Sequence, residues 1–298
     1  MWRDSRVVTE WRLRTRVLRL NERTLVMGVV NITPDSFSDG GLYLESGRAI
    51  EHGLRLLDEG ADLLDLGAES TRPGSRAGDL GNAAVSADEE QARLLPVLEG
   101  ILKARPEAVI SADTYKAATA RAALRAGAEI VNDVSGLEWD AAMAAVCADS
   151  GCGVVLMHTR GKPEEWRTQA GLAREEVLPL VRDGLAERLK AAQLAGISLE
   201  AVALDPGYGF GKRFEENYAL LARQGELLTL GRPLLAGVSR KSFLARTVGN
   251  SVGAEALETA SVAALVAAIL HGASIVRVHR VGAAVAAAAV ADAVLRAG

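Results

Sequence analysis

The sequence predicts an α/β fold, a closed (β/α)8 TIM barrel with an N-terminal hairpin closing the barrel floor. Three observations carry that expectation. Eight short apolar runs alternate with longer stretches of helical spacing at intervals of roughly thirty residues. Glycines stand just after several helical stretches (Gly60, Gly127, Gly196, Gly272), as at helix C-termini. Each apolar run stops at polar residues. An open doubly wound sheet is the alternative, but no GxGxxG opens a helix after the first strand.

Taken in order, residues 1–24 read as a tail and hairpin, with the first ten expected to be disordered. Val17, Leu18 and Leu20 precede the polar Asn21-Glu22-Arg23, and Leu25 follows, which suggests the hairpin. Residues 25–298 read as one barrel domain. Its strands are expected at Val26–Asn31, Leu63–Leu66, Val109–Asp113, Ile130–Asn132, Val154–Met157, Val202–Asp205, Leu234–Val238 and Ile275–Val278. Between them lie helical faces such as Val177, Val181, Leu185 and Leu189, or Leu94, Leu98, Ile101 and Leu102. The first run ends in Asn31-Ile-Thr-Pro-Asp-Ser-Phe-Ser-Asp-Gly-Gly41, which Pro34 and its turn-forming neighbours keep irregular. The polar stretch Ser75–Ser86 reads as a second long loop, and Ala283–Ala297 as the last barrel helix.

Composition narrows the function classes. The 298 residues are 49% apolar and 24% charged, with net charge −4, so no basic footprint for nucleic acid is present. No apolar stretch reaches the length of a membrane span, and Trp2-Arg3-Asp4 does not open a secretion signal. Two cysteines, Cys147 and Cys152, match no common metal or redox spacing, and a cytoplasmic setting is expected. Trp139 and Trp166 read as packing residues.

The residues at the strand ends carry the chemistry. They are Asn31, Gly67 leading into Glu69-Ser70-Thr71-Arg72, Asp113, Asn132, His158, Asp205, Ser239-Arg240-Lys241, and Arg277 with His279. In a barrel these ends share one mouth. Asp113, Asn132 and Asp205 make an acceptor-rich rim suited to a flat heterocycle with N–H donors, a pterin or a guanine edge. Lys241, Arg277 and His279 are donors suited to phosphate and a ring carbonyl. No HExxH, CxxC or three-histidine set points to a transition metal, whereas the amide of Asn31 suits Mg²⁺ held mainly by substrate phosphates and water. No nucleophile elbow or Ser-His-Asp order is present.

The segments VMGVVNITPDSFSDGG, DLLDLGAESTRPGS, ISADTYK, EIVNDVSG, VVLMH, LDPGYGFGK, AGVSRKSF and VRVH together resemble the dihydropteroate synthases of the pterin-binding family, in family order from about Leu25 to His279. The resemblance implies a (β/α)8 barrel. It also implies a transferase that joins p-aminobenzoate to 7,8-dihydropterin-6-ylmethyl diphosphate, releasing pyrophosphate, in folate biosynthesis. Carried over by position, it makes Asn31 the Mg²⁺ ligand beside the diphosphate. Asp113, Asn132, Asp205, Lys241 and Arg277 would hold the pterin. Asn31, Thr71, Arg277 and His279 would hold the diphosphate. Asp35, Phe37, Thr71, Arg72, Pro73, Phe210 and Ser239 would build the p-aminobenzoate pocket, and Asp113, Arg72, Lys241, Arg277 and His279 would carry catalysis. It further implies a homodimer, sulfonamides as inhibitors, and neither nucleic acid nor membrane as partner.

Three places depart from the family pattern. Arg280 replaces an acidic residue after His279, His158-Thr159-Arg160-Gly161-Lys162 replaces a Met-containing segment, and the Ser75–Ser86 loop is long. The alternatives are a pterin-dependent methyltransferase barrel and a non-catalytic pterin-binding paralogue.

Overall fold

The computed structural model describes residues 4–6, 8–20, 22–32, 42–71, 77, 84–249 and 253–298. Two short strands, β1 (Glu10–Arg12) and β2 (Val17–Arg19), precede a regular alternation. It runs β3 (Leu25–Asn31), α1 (Leu42–Asp58), β4 (Leu63–Gly67), α2 (Ala87–Ala104), β5 (Ile110–Asp113), α3 (Ala117–Ala126), β6 (Ile130–Asp133), α4 (Met143–Ser150), β7 (Gly153–Met157) and α5 (Arg174–Leu194). It continues with β8 (Val202–Asp205), α6 (Phe214–Arg223), β9 (Leu234–Ala236), α7 (Ser242–Val248), α8 (Ala254–Leu270), β10 (Ala273–Val278) and α9 (Val281–Ala297). Strands β3 to β10 pair in parallel, each with the next, and β10 closes on β3. All eight expected barrel strands are present, with ends shifted by a residue or two at most positions.

The two-residue period of a strand divides each barrel strand between two apolar layers. Val26, Val30, Leu64, Leu66, Ile110 and Val276 join helix residues such as Leu98, Ile101 and Leu185 in the shell between sheet and helices. Leu25, Met27, Leu63, Val109, Ile130, Val155, Ala203, Leu235 and Ile275 form a second cluster inside the barrel. The inner cluster lies toward the strands' N-terminal ends. Farther along, the same alternate positions are Asp65, Ser111, Asp113, Asn132, Asp205 and Arg277. The barrel interior therefore changes from hydrocarbon at the floor to charge at the mouth.

The hairpin plugs the floor. Trp11, Leu13 and Leu20 belong to the inner cluster, and the Trp11 indole donates to the Ala201 carbonyl at 2.7 Å. Thr15 in the turn donates its backbone N–H to Glu129 at 2.9 Å. Gly153 opens the space for this plug, since a Cβ there would stand 2.5 Å from Leu13. The β1–β2 turn falls at Leu13–Arg16, before the Asn21-Glu22-Arg23 segment expected from sequence. Glu10-Trp11-Arg12 holds a single apolar residue, so its strand left little apolar signal.

The tail also differs from expectation. The side chain of Arg6 is buried and donates to Thr24 Oγ1 at 2.9 Å and to Asp292 at 3.1 Å, tying residues 4–6 to α9. Among the described residues no helix is long and apolar enough to cross a membrane. Trp11→Ala should empty the largest fully buried side chain from the floor. We expect a loss of about 3–5 kcal/mol in unfolding free energy by urea titration, with the mouth residues still in place.

Candidate active site

Parallel register sets the mouth residues side by side. Asn31 is opposite Gly67, Gly67 opposite Asp113, and Asp113 opposite Asn132. Met157 is opposite Asp205 on the far wall. Gly67 presents no side chain in this row, and a Cβ there would press on Asp113 Oδ2 at 3.3 Å.

Arg277 spans this row from β10. Its Nε donates to Asp65 Oδ2 at 2.5 Å and its Nη2 to Asp113 Oδ2 at 2.6 Å. Asp65 Oδ2 also accepts the side-chain N–H of Asn132 at 2.9 Å. Asp65 is fully buried, and the Arg277 side chain is one-fifth exposed. A guanidinium carries five N–H groups, so three of those on Arg277 remain for another partner. Burial pushes the Asp113 carboxyl up to about 7; the Asp65 charge adds to that effect, while Arg277 opposes it.

Asp205 stands at the end of β8 and accepts the Gly207 backbone N–H at 2.7 Å. Burial raises its pKa. Lys241 lies at the N-terminus of α7 with its ammonium 4.0 Å over the Phe210 ring. Burial drives that ammonium down to about 8, with Asp205 and Asp113 opposing and Arg277 reinforcing the shift. Arg240 sits in the left-handed region (φ 57°) and gives its backbone N–H to Ser261 Oγ at 3.0 Å. That bend holds Ser239 and Lys241 on either side of it. Ser239 Oγ lies 3.0 Å from His279 Nδ1.

The structure places Asn31, Asp113, Asn132, Asp205, Phe210, Ser239, Lys241, Arg277 and His279 at C-terminal strand ends or in the segments that follow them. Thr71 is half-buried beyond β4. Asp35, Phe37, Arg72 and Pro73 lie outside the described residues, as does most of the Ser75–Ser86 stretch. Asn31 and His279 share a cleft of about 860 Å³ with the exposed arginines Arg48, Arg240 and Arg280. An apolar wall of Ala77, Tyr115, Val134 and Met157, with Trp139 and Phe210 against it, flanks the mouth. Trp166 packs edge-on to Phe210 at 5.1 Å, so both tryptophans are packing residues as expected.

His158 is a correction. One residue past inward-facing Met157, its ring points outward, and a Cβ on Gly184 of α5 would meet it at 2.6 Å. Burial, with Lys212 adding, holds its pKa well below the usual value. Two further residues escaped the sequence reading. Asp65 was hidden inside an apolar run, although its two-residue spacing from Leu63 marks the inward face. Lys212 is buried and donates to the carbonyls of Gly207 at 2.8 Å, His158 at 3.1 Å and Phe210 at 3.3 Å. It fixes the turn after β8, where Gly207 (φ 71°) leaves no room for a side chain.

At the foot of the second loop, Glu69 pairs with Lys116 and accepts the Val85 backbone N–H at 3.3 Å. Lys116 also reaches Glu90 at 3.3 Å, and Ser86 caps α2 through the Glu89 N–H.

Comparison with known proteins agrees with this geometry. A family model described as pterin binding enzyme matches residues 27–279. The dihydropteroate synthase of Bacillus subtilis (strain 168) is 40% identical over 264 residues, 89% of this chain and 86% of that protein. A solved dihydropteroate synthase from Xanthomonas albilineans with 4-aminobenzoic acid is 41% identical, with TM-score 0.85 over 96% of this chain and 98% of its own. The same enzyme in complex with 7,8-dihydropteroate is 39% identical, with TM-score 0.81 and the same coverage.

Arg277→Met would leave Asp65 and Asp113 buried with no cation between them. Urea titration at pH 8 should show a loss of about 3–5 kcal/mol, shrinking toward pH 5 as Asp113 takes up a proton.

Proposed function

The chain belongs to the pterin binding enzyme family, and on that premise we infer that it works as a dihydropteroate synthase. It condenses 7,8-dihydropterin-6-ylmethyl diphosphate with p-aminobenzoate to give 7,8-dihydropteroate and pyrophosphate, a transferase step of folate biosynthesis. The observation that carries this reading is the mouth itself. Acceptors Asp113, Asn132 and Asp205 face the donors Lys241 and Arg277 in one opening, with Asn31 and His279 at its edge.

We assign the pterin edge to Asp113, Asn132, Asp205 and Lys241. The diphosphate goes to Asn31, Thr71, His279 and the free N–H groups of Arg277. The p-aminobenzoate pocket takes Thr71, Phe210 and Ser239, with Asp35, Phe37, Arg72 and Pro73 from outside the described residues. When the methylene–oxygen bond breaks, its electron pair leaves with the diphosphate and the pterin methylene becomes cationic. Ionised Asp113 stabilises that cation, while Arg277 and His279 receive the departing charge. The arylamine nitrogen then forms the new C–N bond and releases its proton to solvent. No protein nucleophile is required.

Among the described residues no group of three or more His, Cys, Asp or Glu could hold a metal ion. The lone amide oxygen of Asn31 fits Mg²⁺ whose other ligands are diphosphate oxygens and water, and that ion when bound would neutralise leaving-group charge. Three further assignments belong to this reading. Sulfonamides, as arylamine mimics, compete for the p-aminobenzoate pocket. The buried, reduced thiols of Cys147 and Cys152 suit a cytoplasmic enzyme. The exposed Val290 and Val294, one turn apart on α9, support a homodimer. Sedimentation equilibrium should then give about twice 31.3 kDa, and a mass near 31.3 kDa would exclude it.

The test is pyrophosphate release on mixing both substrates. Neither substrate alone should yield it, and chelation of divalent ions should slow it. Asp113→Asn should lower kcat about a hundredfold or more in a folded protein; near wild-type turnover would remove Asp113 from the mechanism. Asp113 gains its charge as pH rises through about 7, and Lys241 loses its own above about 8. The pH profile of kcat/KM should therefore be bell-shaped, rising on the acid side and falling on the alkaline side.

A further inference from the structure

We propose that Asp65 is the positioning residue of this site, its single oxygen Oδ2 orienting both the Arg277 guanidinium and the Asn132 amide for the pterin diphosphate. The proposal rests on the synthase reading above.

The geometry carries it. Asp65 lies mid-strand on β4, faces the barrel interior and has no exposed side-chain surface. Oδ2 accepts from Arg277 Nε at 2.5 Å and from Asn132 Nδ2 at 2.9 Å. Engaging Nδ2 decides which end of the Asn132 amide turns away from Asp65, and that end is the carbonyl acceptor a pterin N–H needs. Engaging Nε while Asp113 takes Nη2 fixes the guanidinium plane, so the remaining N–H groups keep one direction. The arrangement is costly. Asp65 Oδ1 is buried with no hydrogen-bond partner, and so is the hydroxyl of Ser111, its cross-strand neighbour. Asp65 also adds negative charge beside Asp113, which faces Arg277 of β10, Glu90 of α2 and Lys241 of α7 as well.

Removing the Asp65 charge should therefore relieve folding while harming function, a combination that a merely structural residue would not give. Asp65→Asn keeps the volume. We expect an unfolding midpoint no lower than wild type, kcat reduced about 10–100-fold and KM for the pterin diphosphate raised about tenfold, with KM for p-aminobenzoate unchanged. With one like charge gone, Asp113 ionises more readily, so the acid limb of kcat/KM moves to lower pH. Ser111→Ala should leave all three kinetic constants unchanged.

Wild-type kcat, KM and acid limb in Asp65→Asn would overturn the proposal, as would activity lost only in step with the unfolded fraction. Calorimetric binding of the pterin diphosphate alone separates this from the reaction assignment. A wild-type chain that binds it without releasing pyrophosphate sinks the synthase reading, and the positioning role is still read from weaker binding in Asp65→Asn. Should that variant not fold, NMR of the wild type decides. A downfield, slowly exchanging Arg277 Nε–H supports the proposal, and exchange as fast as in an exposed arginine overturns it.

Discussion

One guanidinium between two carboxylates, Asp65 buried and Asp113 half-buried, organises this molecule's mouth. Arg277 holds Asp65 and Asp113 from strands β4 and β5 while itself rising from β10, so a single cation links both sides of the β3 strand. Three carboxylates and two cations are gathered there, counting Asp205 and Lys241. Burial holds Asp113 above its usual range and Lys241 below; the Asp65 charge adds to the first shift, and Asp205 and Asp113 only partly offset the second. A site tuned in this way resists folding slightly and is ready for a ligand that develops positive charge on one side and negative on the other.

The rest of the chain supplies the rigidity to bear that arrangement. The outer shell between strands and helices is largely apolar, and the barrel's inner floor is sealed by Trp11, Leu13 and Leu20. The floor hairpin therefore acts at a distance: it completes the hydrocarbon half of the interior, so the strands can present charge only at the opposite end. Lys212 does comparable work locally. Its buried ammonium gathers the Gly207 and Phe210 carbonyls of the turn after β8 and ties them to the His158 carbonyl after β7.

Most of the barrel was legible in the sequence because buried parallel strands are continuous apolar runs, and each run ended where its polar residue began. The rim residues were legible for the same reason. Asp65 was not, because a charge inside LLDLG reads as an interruption unless the two-residue alternation is applied to it. His158 was misread because it follows its strand's last inward residue by one place, and a one-residue step reverses the face. The strand at Glu10–Arg12 holds one apolar residue and so left little pattern, and the contacts that seat Trp11 on Ala201 and Arg6 on Asp292 join residues far apart in sequence. Local pattern carries no trace of such contacts.

Glu69 clasps Val85, and with them the two ends of the segment that separates β4 from α2. Because those ends are already stapled to one another and to Lys116, the distance to be closed between them is set whatever the length of the segment. Closing a longer excursion costs only about 0.6 kcal/mol for each doubling in length. A change of length in that span therefore costs little in closure, provided that Ala77 keeps its place against Tyr115, Val134 and Met157 beside the mouth.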